Sequence, residues 1–162
     1  VGGELILGID PGTAVTGYGV VAKERGGAVS LVECGVVRTS PREALPFRIR
    51  EIYEEVSALI ARHQPSVVVV EDVFLGKNVQ SALKLGHARG AILLAAALGE
   101  IPIAEYSPRE IKKAVVGNGN ASKDQVGFMV QQQLRLKDPP SPADAADGVA
   151  AALCHCILGA FR

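Results

Sequence analysis

Val67-Val68-Val69-Val70-Glu71 places four β-branched apolar residues ahead of a carboxylate. So short an apolar run, introduced by Pro65-Ser66, reads as a strand buried on both faces, at the centre of a sheet covered by helices. Upstream, Leu45, Ile49, Ile52, Val56, Leu59 and Ile60 recur at three- and four-residue steps, so residues 42–63 read as an amphipathic helix that stops before Pro65. Farther back, Glu4 to Asp10 (ELILGID) is a mostly apolar strand ended by Pro11-Gly12. A strand, a crossover helix and another strand imply parallel pairing, so Asp10 and Glu71 are expected to leave neighbouring strands at one edge of the sheet.

The remaining chain completes a mixed sheet. Val15 to Ala22 and Val29 to Thr39 resume extended patterns around the Arg25-Gly26-Gly27 turn, which predicts an antiparallel meander with the first strand. Lys77 to Leu98 reads as a long helix and Pro102 to Tyr106 as a short strand. Ser107-Pro108 then opens a small helix, Ser122 to Leu134 reads as another, and Ala143 to Phe161 as an alanine-rich last one after a proline-rich loop. The expected class is α/β, a five-stranded mixed sheet with helices on both faces, in one domain over 1–162.

Composition limits the function classes. With 162 residues, 48% hydrophobic and 21% charged, the chain can build a core without staples. Cys34, Cys154 and Cys156 are an odd number without framework spacing, the start lacks a basic leader, and no apolar run approaches a membrane span. A cytoplasmic protein is expected. Net charge is zero, but it is sorted along the chain: residues 1–73 carry seven basic and ten acidic side chains, 74–137 nine and four, and 138–162 one and three. The basic middle is a candidate surface for a polyanion.

Four carboxylates stand where solubility does not require them. Asp10 and Glu71 end strands, and Asp144 and Asp147 lie three apart at the start of the last helix, so they project from nearly the same side. Crowded carboxylates repel unless a cation neutralises them, and hard divalent ions take such oxygen clusters. Two ions about 4 Å apart activate water and stabilise the leaving oxygen in phosphodiester hydrolysis, which needs no protein nucleophile. Cys154-His155-Cys156 is expected to be core rather than a metal motif, because the two thiols point about 200° apart around a helix. His63 and His87 are expected at the surface.

Several ordered motifs resemble those of the RuvC family of Holliday junction resolvases. They are Gly8-Ile9-Asp10-Pro11-Gly12-Thr13 with Thr16-Gly17-Tyr18-Gly19; Glu71-Asp72-Val73-Phe74; Ser81-Ala82-Leu83-Lys84-Leu85-Gly86; Val115-Val116-Gly117 with Lys123; and Ala143-Asp144-Ala145-Ala146-Asp147-Gly148. The resemblance implies an RNase H-like (retroviral integrase superfamily) fold and a homodimer that nicks opposed strands of four-way junction DNA with Mg²⁺ or Mn²⁺. It also implies cooperation with RuvA and RuvB. By motif, Asp10, Glu71, Asp144 and Asp147 are the catalytic metal ligands, with two ions per site. Lys77, Lys84, Lys112, Lys113 and Lys123 would meet phosphates, Lys112 and Lys123 nearest the scissile one, and Phe74 would stack on an unpaired base. Asp72 stands where the family pattern has Gln, and strand alternation sends it away from Glu71 as a bystander. Ser81 to Leu98 is the candidate dimer surface. A rival reading comes from Asp10-Pro11-Gly12-Thr13, which also resembles the phosphate loop of actin-like and sugar kinases, although the chain offers only one such loop.

Overall fold

The computed structural model describes residues 3–72, 76 and 78–159. The strands β1 (Glu4–Asp10), β2 (Val15–Lys23) and β3 (Val29–Arg38) form the expected meander. Helix α1 (Leu45–His63) then crosses to β4 (Val67–Glu71), which lies parallel to β1. After α2 (Val79–Leu98), β5 (Ile103–Tyr106) joins β4 in parallel, giving the order β3-β2-β1-β4-β5. Three helices follow: α3 (Pro108–Val116), α4 (Lys123–Gln133) and α5 (Ala143–Leu158).

Alternation along the strands builds two cores. Leu7, Ile9, Val20, Val68 and Val70 face Ile52, Val56 and Leu59 of α1 and Ala88, Ile92 and Ala96 of α2. Ile6, Val21, Val67 and Val69 face the opposite layer, with Ile111 of α3, Val126 and Val130 of α4, and Val149 and Leu153 of α5. All four valines are therefore buried, as a doubly covered central strand requires.

Local chemistry sets the helix ends. Pro46 in the first turn and Ala44 in extended conformation start α1 at Leu45 rather than at residue 42. Asn78 accepts from the backbone N–H groups of Gln80 and Ser81, so α2 starts at Val79. Ser107 with Glu110 and Ser122 with Gln125 form reciprocal capping boxes on α3 and α4. Gly159 caps α5, and the last residues of the expected 143–161 helix lie outside the described residues.

Helix α5 packs very closely on the face of β1 and β2, because glycines meet at the contact. A Cβ on Gly148 would stand 2.5 Å from the Tyr18 Cα, and one on Gly17 would overlap the Asp144 carbonyl oxygen. No larger residue lets backbone approach backbone this closely. Gly17 is also the register partner of Asp10, so this contact carries the start of α5 to the end of β1.

Two histidines behave differently. His87 is exposed as expected. His63 is instead largely buried, its side chain 13% exposed, because Glu33 on β3 meets its Nε2 at 2.7 Å. Cys154 and Cys156 are core thiols, and His155 meets the Tyr106 hydroxyl through Nδ1 at 2.8 Å, so the three do not converge on a metal.

Candidate active site

Ile9 pairs with Val70 in the parallel register, so the next residue on each strand, Asp10 and Glu71, emerges side by side at the carboxyl edge. Such an edge is where α/β sheets expose ligand sites. The start of α5 supplies Asp144 and Asp147. One carboxylate oxygen from each of Asp10, Asp144 and Asp147 falls within 4.8 Å of the others. Glu71 joins through a hydrogen bond with Asp10. Asp10, Glu71 and Asp147, with Lys112 and Lys123, line a pocket of about 270 Å³.

The electrostatics follow from this crowding. Burial pushes the Asp10 carboxyl above its ordinary range; the Glu71 hydrogen bond and Lys123 pull the other way, and Asp144 adds repulsion. Burial, then Asp10, raises Asp147. Glu71 is pushed up to about 9, first by loss of water, then by its hydrogen bond with Asp10 and the Asp10 charge, with Asp147 adding repulsion. A hydrogen bond between two carboxyls needs one proton, so the Asp10–Glu71 pair holds one near neutrality. Lys123 Nζ lies 3.3 Å from Asp147 Oδ2 and 3.9 Å from Asp144 Oδ1. The Asp147 charge in turn raises the Lys123 ammonium.

Other expected contacts divide. Lys112 borders the pocket, whereas Lys113, one residue on, is exposed and does not. Lys84 is exposed on α2 while its neighbour Leu85 lines the pocket. Phe74 and Lys77 lie outside the described residues.

Asp72 turns from the acids toward an arginine of α2. Its Oδ1 is 3.5 Å from Arg89 of α2, a side chain only 15% exposed, which also meets Glu105 of β5 at 2.9 Å. Asp72 also borders the pocket. Arg89 escaped the sequence reading. The pattern that could have found it is a lone arginine amid the apolar residues of α2, since a buried cation needs a carboxylate.

An acid cluster thus stands at the carboxyl edge of this mixed sheet, flanked by two lysines. The family model described as crossover junction endodeoxyribonuclease RuvC matches residues 6–155. The relative from Chlorobium phaeovibrioides is 48% identical over 153 residues, which is 94% of this chain and 81% of that protein. That from Vibrio cholerae is 50% identical over 152 residues, 94% and 86% respectively. Among solved structures, Thermus thermophilus RuvC in complex with Holliday junction substrate superposes with a TM-score of 0.90 at 37% identity, covering 96% of this chain and 94% of that one. The chain belongs to the RuvC family of crossover junction endodeoxyribonucleases.

Proposed function

We propose that this chain resolves four-way DNA junctions in recombination and repair by paired, metal-dependent nicks, with Asp10, Glu71, Asp144 and Asp147 as the catalytic carboxylates. The convergence of three of these side chains within 4.8 Å, with Glu71 bonded to Asp10, is the observation that supports it. The donor set suits a hard divalent cation, being all oxygen, partly buried and mutually repulsive. Mg²⁺ is the natural occupant, Mn²⁺ a substitute, and the four acids are enough for two ions. Asp10, Glu71, Asp144 and Asp147 would hold the metal, which would supply activation of the attacking water and stabilisation of the leaving oxygen.

The chain's own groups prepare that step. Asp10 and Asp147 line the pocket with Asp144 beside them in the same cluster, and the Asp10–Glu71 pair would give up its proton on binding a cation. Lys112 and Lys123 border the same pocket and draw the DNA backbone to it. Lys84 and Lys113, exposed on α2 and α3, extend the basic surface, and Phe74 and Lys77 belong to the same reading by motif.

A homodimer fits a junction with two equivalent strands. Val79, Leu83, Leu94 and Leu98 expose more than half of their surface on the side of α2 turned from its own sheet, which supports that helix as the interface. Cooperation with RuvA and RuvB and a cytoplasmic setting rest on family membership; no helix among the described residues is long and apolar enough to cross a membrane.

The test is a labelled synthetic junction with a duplex control, with and without Mg²⁺. Symmetric nicks confined to the junction are expected, and an Asp147→Asn variant should bind it without cutting. Undiminished nicking by that variant removes Asp147 from the mechanism. Mg²⁺-dependent ATP binding without cleavage would favour the kinase-like alternative.

A further inference from the structure

Beside the catalytic pocket lies a larger groove of about 400 Å³, and we infer that it is a subsite for the base of a nucleotide flanking the scissile phosphate, which stacks on Phe128. The inference rests on the nuclease reading of the neighbouring pocket. Phe128 is 58% exposed. It sits between Val126 and Val130, the two buried positions of α4, and two helical steps turn it about 200° from each, so core packing does not account for it. Pro139 and Pro140 line the same groove as Phe128 and add rigid apolar surface. The volume suits one base with its sugar rather than a duplex.

The groove continues the catalytic pocket. Lys123 lines both cavities, and its ammonium is held at Asp147. Ala143 and Ala146 line the groove from the same turns of α5 whose adjoining side carries Asp144 and Asp147. A strand with its phosphate at Lys112 and Lys123 thus has a neighbouring base within reach of Phe128.

Charge selects which part of the nucleotide enters. Asp124 also lines the groove and disfavours a phosphate there, whereas the catalytic side offers a phosphate two lysines, Lys112 and Lys123. Gln131 adds a polar contact. Its Nε2 donates to the carbonyl oxygens of Lys137 at 2.9 Å and Leu136 at 3.5 Å, which leaves its own amide oxygen as an acceptor at the groove. Aromatic stacking with one acceptor is base chemistry, and the shared lysine makes DNA, rather than a protein segment, the occupant.

The test uses junctions carrying the fluorescent adenine analogue aminopurine at each position flanking the cut, bound by an Asp147→Asn protein that leaves them whole. Quenching is expected at one flanking position, lost on adding Phe128→Ala and kept with Phe128→Tyr. Stacking contributes about 1–3 kcal/mol per base, so Phe128→Ala should weaken junction binding by roughly 5- to 150-fold. Unchanged quenching and affinity in Phe128→Ala overturn the subsite. So does a Phe128→Ala variant that keeps its junction affinity but changes the sedimentation of the DNA-free protein, because the groove would then hold a second copy. A wild-type protein that fails to cut junctions would instead sink the nuclease reading, which separates the two failures.

Discussion

Neutralising Glu71 should stabilise the metal-free protein while removing its chemistry. Glu71 has an ordinary pKa of 4.5 and is pushed up to about 9 in the fold, chiefly because the strand end strips water from it beside Asp10. Between these values the folded protein holds a proton that the unfolded chain has released. Stability therefore falls as pH rises, by about 1.4 kcal/mol per unit, opposite in sign to a salt-bridged carboxylate whose contribution vanishes on acidification. Below the ordinary value both states are protonated and the cost is absent. At neutral pH it has accumulated to on the order of 3 kcal/mol, a substantial part of a domain's usual 5–15. Glutamine has the same shape and donates a hydrogen bond to Asp10 without a titrating proton. Whichever carboxyl of the wild-type pair carries the proton, the variant pair needs none. Urea unfolding in EDTA from about pH 5 to about pH 9 should show the wild type losing stability more steeply than Glu71→Gln, the curves separating as pH rises. Millimolar Mg²⁺ should raise only the wild type substantially, by binding its native state. Parallel curves across that range would refute the account of strain stored in the acid pocket.

The same proton predicts that Mg²⁺ affinity climbs with pH up to about 9, by as much as tenfold per unit where one proton leaves per ion bound; titration calorimetry in two buffers of different ionisation enthalpy reads that proton directly. Lys123→Met removes the cation that lowers both Asp10 and Asp147, so the acidic limb of the cleavage rate against pH should move upward; an unmoved limb with a merely lower rate would restrict Lys123 to DNA binding. Gly148→Ala puts a methyl 2.5 Å from the Tyr18 Cα and should cost about 1–3 kcal/mol while moving Asp144 and Asp147 off the strand ends. Thermal unfolding and junction cleavage should both suffer, and a variant as stable as the wild type would mean that α5 can lift without penalty.

What the sequence disclosed and what it withheld divide along a physical line. Asp10 and Glu71 were legible as neighbours because a single crossover and a buried valine run decide strand pairing, and pairing decides which strand ends meet. Asp144 and Asp147 were legible as a pair from helical spacing alone. That the two pairs meet was legible only through resemblance, since it depends on how closely α5 can lie on β1 and β2. Gly17 and Gly148 permit that contact, and in the sequence Gly17 stands only within an extended run and a family motif, neither of which marks a helix contact. Lys112 and Lys113 were told apart in sequence only by resemblance; about 100° of helical rotation sends one to the pocket and the other to solvent. Arg89 and the Phe128 groove were missed for a related reason: exposure and ion pairing belong to the assembled layers, and local periodicity reports only which side of its own helix a residue occupies. Periodicity thus finds the elements and the acids at their ends. The close glycine contacts between layers turn those acids into one pocket, and a substitution at such a contact should reach the chemistry without touching a carboxylate.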